Sequence, residues 1–308
     1  MSINFDKNLN NISVDIINHK MEDKKDIFPL FITSLIISFW AMMKYYFLHN
    51  ILSIDREVIR KKFYGNLFVD RTSDLMRNLR IHARTWRAMN FLYNYKSIFA
   101  HKNFFQKQIE YFWAQIDNSK AIRNRARVVK KLTQEEVAKR NKSEEINILS
   151  IASGTGQPLI EAVAKFNQYK INLTLIDKDQ DCLDFAQKIA QKYDLTIKTI
   201  CEDIFNLDKL KLEKFDLVEM IGIFDYFSEE QTNSLTRKLK QITKNSTSVI
   251  ISNSCPNRGS FGLTWVMLWP LIYRDESDFK SLLLSSGYSD IKIVYEPLKF
   301  HLVAVCKI

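Results

Sequence analysis

Glycine and proline are scarce in this chain: 7 and 5 of 308 residues, with only Gly65 and Pro29 falling in the first 145. A stretch with so few turn residues reads as helix. Cysteine is equally sparse. Cys182, Cys201, Cys255 and Cys306 are scattered, with no CxxC and no Cys/His pair at metal spacing. That excludes a zinc site, leaves no metal to expect, and points to a reducing compartment. The polar start "MSINFDKNLN" lacks a secretory pattern, so a cytoplasmic location is expected. The longest uncharged run, "IFPLFITSLIISFWAMM" at 27–43, is 17 residues. A membrane span needs about 20 predominantly apolar residues. The run therefore reads as a buried or groove-covering helix; the alternative is an interfacial helix in peripheral contact with membrane, since aromatic and basic residues follow it.

Acidic residues are lacking in one half only. Residues 1–145 hold 26 Lys/Arg against 15 Asp/Glu, and residues 146–308 hold 19 against 20, which together make the net +10 of the chain. Within 56–131 the balance is 18 basic to 5 acidic. Such a field attracts anions: nucleic acid, anionic lipid, or a substrate bearing carboxylate or phosphate. The alternative is a solvated helical surface.

Two periods divide the chain. In 1–145, "LMRNLRIHARTWRAMNFLYNY" repeats apolar residues at Leu75, Leu79, Ala83, Trp86, Met89 and Tyr93, and "NFFQKQIEYFWAQI" does the same, which is helical spacing. After the polar stretch 138–145 the pattern becomes short apolar runs: "INILSI", "NLTLID", "IKTICE", "FDLVEMI", "TSVIISN", "IKIVYE" and "HLVAVCKI". Helix-length segments lie between most of them, at 157–169, 179–192, 229–244 and 275–286, the third opened by a Ser228/Gln231 capping box. Alternation of this kind implies a parallel sheet built of βαβ units. Only "PLKF" separates the last two runs, so they form an antiparallel hairpin. The expectation is an α/β fold: a helical region, 1–145, and a Rossmann-like core, 146–308, whose seven-stranded sheet is mostly parallel and ends in that hairpin.

Two of the few glycines are spent at "ILSIASGTGQP", where a strand runs into a helix. In open α/β sheets the ligand sits over this first turn. "SGTGQPLI" has no lysine, so a Walker loop is excluded. Leu159 stands where the dinucleotide fingerprint needs its third glycine. A turn with two glycines suits a ligand without pyrophosphate. With the further motifs in order, the segment 146–308 resembles the class I S-adenosyl-L-methionine-dependent methyltransferases. Their turn reads as an acid, one apolar residue, then GxGxG; here Gly154 and Gly156 match, Ala152 stands for the first glycine and Ser150 for the acid. The resemblance implies that Ser150, Ala152, Ser153, Gly154 and Gly156 line the cofactor. It makes Asp177, followed by Lys178, the ribose ligand, and Asp203, followed by Ile204, the adenine reader. Ile221, where "FDLVEMIGIFDYF" ends its strand, lies beside the sulfonium. Asp177 has an alternative reading as a helix N-cap.

No proline follows the fourth strand, whereas enzymes that methylate DNA amino groups place an [ND]PP[YFW] motif there; DNA is disfavoured. "IGIFDYF", "MLWPLIYRDESDFKSLLLSSGY" and the R-x-R pattern of Arg123, Arg125 and Arg127 resemble a bacterial subgroup with a helical N-terminal extension, linked to methyl esters of 3-hydroxy fatty acids. That resemblance implies a small or fatty carboxylic acid as acceptor and a helical lid, with Arg125 at the cofactor. Apolar residues at 27–54 and 261–274 suit such an acceptor, and Asp225, Tyr226, Tyr273 and Arg274 are candidates for orienting it. Two other classes remain open: an RNA or protein methyltransferase docking through the basic helices, and an inactive cofactor-binding module. Fold alone does not choose among them.

Overall fold

The computed structural model describes residues 21–22, 28–60 and 71–308, with side chains from 35 onward in the first helix. Gly65 and Pro29 lie outside the residues whose side chains are described. The described chain groups into two compact units. One comprises the described residues of 22–123 together with Asn257–Leu271; the other comprises Asn124–Pro256 and Ile272–Ile308.

The first unit is helical: α1 (Phe28–Tyr46), α2 (Asp74–Ile81), α3 (Trp86–Tyr93), α4 (Phe104–Ala114) and the first turns of α5 (Asp117–Ala138). Ser73 caps α2, donating its hydroxyl to Glu110 (2.6 Å) and accepting the N–H of Met76 (3.2 Å). Glu110, fully buried on α4, also receives the N–H groups of Asp74 and Leu75 and the ammonium of Lys102. One carboxylate thus ties α4 to the start of α2.

The apolar run predicted to be a buried helix is α1, but most of its described large side chains face outward. Ile36, Phe39, Trp40, Met43 and Tyr46 are exposed, Trp40 to 69 %, and Phe47 follows them. Only the small Ser38 and Ala41 are buried. The inner stripe is narrow because Ala41 packs with Ile59 and Leu268, flanked by Tyr45, Leu48 and Val266. The residues that give the run its hydropathy lie on the opposite face. Among the described residues no helix is long and apolar enough to cross a membrane.

The second unit is the expected α/β sheet. Its strands are β1 (Glu145–Ile151), β2 (Lys170–Asp177), β3 (Ile197–Cys201), β4 (Phe215–Met220), β5 (Thr243–Ser254), β6 (Ser289–Tyr295) and β7 (His301–Lys307). They lie in the order β3-β2-β1-β4-β5-β7-β6. The first five are parallel, and β7 runs antiparallel to both β5 and β6. The architecture is Rossmann-like, and strand order reverses beside β1, which places the crevice at the end of that strand.

Four helices follow their predicted segments: α6 (Gln157–Val163), α7 (Gln180–Gln191), α8 (Glu229–Ile242) and α9 (Glu276–Ser285). The predicted capping box is formed: Ser228 accepts the N–H of Gln231, whose side chain accepts the N–H of Ser228. One face of the sheet carries the main core, where Leu149, Ile151, Val218, Met220, Val249 and Ile251 meet Leu235 and Leu239 of α8 and Phe279 and Leu283 of α9. The rest of α5 belongs to this unit. Its Glu136 accepts from Ser248 of β5 (2.6 Å), and Asn124 donates to Glu296.

Candidate functional site

The turn after β1 is built from left-handed backbone. Ala152, Gly154 and Gly156 have φ of +49°, +52° and +57°. Gly156 is required twice over: its conformation disfavours any Cβ, and a Cβ there would lie 2.9 Å from a methyl of Leu175 on β2. Gly156 caps α6, and Pro158 follows in its first turn, where a missing N–H costs nothing. Ala152, at the position of the first family glycine, tolerates the same backbone at a cost of roughly 1–2 kcal/mol.

Asp177 at the end of β2 is the hub of this turn. Its Oδ2 accepts the N–H of Gly154 (2.8 Å) and its Oδ1 the N–H of Asp179 (3.0 Å). Ser153 N–H also reaches the carbonyl of Ile176 (3.1 Å). The helix-cap alternative for Asp177 is not what forms: Asp179 caps α7 by accepting the N–H of Asp181. A carboxylate offers about four lone-pair positions. Two are taken by backbone N–H groups, the Cys182 thiol also interacts with the carboxylate, and the remaining capacity suits a ribose hydroxyl. Lys178 beside it is exposed.

Asp203 caps the short 3₁₀ turn 204–209 by accepting the N–H of Phe205 (2.9 Å), while its own N–H donates to Glu202 (2.7 Å). Ile204 behind it is buried. Glu202 also holds Asn206, a clamp that the sequence did not single out. After β4, Ile221 is half-buried and Gly222 takes φ +74°, its N–H donating to Ser252 of β5 (2.9 Å). Arg125 of α5 lies against Gly222, where a Cβ would come within 3.3 Å of the guanidinium.

The four acceptor candidates are distributed unevenly. Asp225 is buried, accepts the N–H of Ser254 (2.6 Å), and stands 3.8 Å from Arg125. Burial pushes its carboxyl above the usual range, with Arg125 and the Ser254 N–H opposing. Arg274 donates to the carbonyls of Phe224 and Phe227 and to Asn253 Oδ1 (2.8, 2.6 and 2.8 Å). Its guanidinium staples the segment after β4 to β5, which makes it a positioning residue for Asp225. Tyr226 and Tyr273 are half-buried near these groups in sequence. His301, which pairs in register with Ser254, is buried with Nδ1 unpartnered, and burial together with Arg125 holds it neutral.

Replacing Asp177 by alanine is expected to lower the stability of the protein without cofactor by roughly 1–3 kcal/mol, because two backbone N–H groups lose a charged acceptor. Urea unfolding measures this. An unchanged midpoint would mean that the turn holds its shape without the carboxylate.

Residues 148–246 match the family described as a methyltransferase domain. No curated protein matches the chain in sequence. Among solved structures, a Bordetella parapertussis protein aligns over 78 % of this chain and 85 % of its own, with a TM-score of 0.63 and 16 % identity. The CurJ carbon methyltransferase aligns over 88 % of this chain and 69 % of its own, with a TM-score of 0.53 and 13 % identity. Both share the fold. Over residues 148–246 the chain is similar to methyltransferase domains, and the cofactor that goes with such a domain is S-adenosyl-L-methionine. A turn that lacks the third glycine of the dinucleotide fingerprint, beside the strand-end carboxylate of Asp177, fits that cofactor.

Proposed function

We propose that the protein methylates the carboxylate of a fatty or small organic acid, giving a methyl ester. The observation that carries this reading is how the chain is partitioned. Residues 257–271, between β5 and α9, group with the N-terminal helices, and Leu268 and Val266 pack with Ala41 and Ile59. The rings of Tyr45 and Trp265 meet at a tilt, 5.8 Å apart, in the same unit. Residues 261–271 and the described part of 27–54 are therefore one body, rich in aromatic and basic side chains. In this reading the helical unit handles the acceptor and serves as the lid. Its exposed apolar α1 face brings it to lipid at the membrane surface from the cytoplasm.

The cofactor supplies an electrophilic methyl group on a sulfonium. Asp177 holds the ribose, Asp203 and Ile204 hold the adenine, and the turn from Ser150 to Gly156 with Ile221 takes the methionine end. Asp225, fixed by Arg274, and Tyr226 orient the acceptor, and Arg125 offers the positive charge that an acid needs. Transfer to a carboxylate oxygen requires alignment and exclusion of water more than a strong base.

Incubating the protein with methyl-labelled cofactor and a series of fatty acids tests this. Label that mild base releases as methanol is expected. Base-stable label on RNA or protein instead would move the assignment to a macromolecular acceptor docked on the basic helices. Cofactor binding without transfer to any of these would identify an inactive module.

A further inference from the structure

The sheet contains one acid that the fold does not use. Glu219 on β4 is 5 % exposed, and its enclosed Oε2 has no hydrogen-bond partner. It pairs in register with Ser150 of β1. Residues opposite one another in adjacent strands project to the same side of a sheet. Ser150 is one residue from the end of β1, directly before the left-handed turn that opens at Ala152. Glu219 is likewise one residue from the end of β4. An acid therefore lies just beneath the glycine turn, next to a serine that brings only a neutral hydroxyl.

A buried carboxyl without partner is costly, and proteins rarely keep one for structure alone. Burial pushes it up to about 8, and no neighbouring charge offsets this. The buried cations Lys130 and Arg125 of α5 face other acids, Glu161 (3.5 Å) and Asp225 (3.8 Å). The position lacks a cation with hydrogen-bond donors. A bound amino-acid group supplies one in its ammonium.

We propose that Glu219 receives the α-ammonium group of the cofactor, so that the acid for this end of the ligand comes from β4 and not from β1. The inference rests on the methyltransferase reading above. Sequence reading passed over this residue, because "FDLVEMI" looks like a continuous buried strand in which one glutamate carries no signal.

Calorimetric titration with two probes separates the outcomes. S-adenosylhomocysteine carries the amino-acid group; 5′-methylthioadenosine keeps the nucleoside and sulfur but lacks it. Glu219→Gln, which preserves shape, is expected to weaken S-adenosylhomocysteine at least tenfold and to leave 5′-methylthioadenosine unchanged. Adding Ser150→Asp to Glu219→Gln returns a carboxylate to the neighbouring strand and is expected to recover part of the loss. Equal affinity of Glu219→Gln and wild type for S-adenosylhomocysteine overturns the proposal. So does an equal loss for both probes, which would mark Glu219 as a support for the whole site. Wild type that binds neither probe overturns the methyltransferase reading and this inference with it.

Discussion

A chain of residues 141–308 is expected to show no cooperative unfolding transition, although it contains every strand of the sheet. The missing part is the body of α5. Val128, Val129, Leu132 and Val137 are all buried. At roughly 1.5–3 kcal/mol each, their loss removes about 6–12 kcal/mol, comparable with the whole net stability of a domain, about 5–15 kcal/mol. The polar ties go with them: Glu136 to Ser248, Asn124 to Glu296, and Arg140 to the carbonyl of Asp216. A chain beginning at residue 124 keeps all of these and is expected to melt cooperatively. Circular dichroism of the two, followed with temperature, decides it. A melt of 141–308 within a few degrees of the longer chain would show that α5 is dispensable to the sheet.

The second large effect is a pH dependence. Glu219 in the folded protein titrates at about 8, against an ordinary 4.5, through burial alone. Below pH 4.5 both folded and unfolded chains carry the proton, and the neutral side chain contributes its full share of stability. Between 4.5 and 8 the unfolded chain releases the proton while the folded chain keeps it, so stability falls as pH rises. The loss across that window is on the order of 5 kcal/mol. Glu219→Gln stays neutral throughout and lacks this slope. Urea unfolding of wild type and variant at pH 5 and pH 8 is expected to show the gap moving in favour of the glutamine. Parallel profiles would mean that Glu219 is ionised or solvated in the fold.

The sheet was legible because each strand is a local pattern. The seven apolar runs coincide with β1 to β7, and the four helix-length gaps, together with the Ser228 capping box, match α6 to α9. The strand ends at which most of the candidate cofactor residues stand were legible for the same reason. What was not legible depends on partners far apart in sequence. The outward face of α1 follows from which side Leu268 covers, and no period within residues 27–43 records that. The membership of α5 is set by buried residues whose spacing looks the same whichever unit they join. The contacts of Asp179 and Arg274 depend on backbone groups that sequence does not display, so Asp177 was weighed as a cap and the carbonyls that Arg274 holds went unseen.

The small cluster of Ala41, Ile59 and Leu268 carries a consequence for synthesis. A ribosome adds roughly 5–20 residues per second, so Leu268 emerges some 10–45 s after Ala41. Throughout that interval the N-terminal helices are outside the tunnel without the segment that completes their core. Meanwhile β1 to β5 can pair as they appear. The portion made first is thus finished last, and for those seconds Trp40, Phe39 and their neighbours are joined by an uncovered inner stripe. Nascent chains halted before residue 257 should accordingly be held by chaperones, and those halted well after residue 271 released.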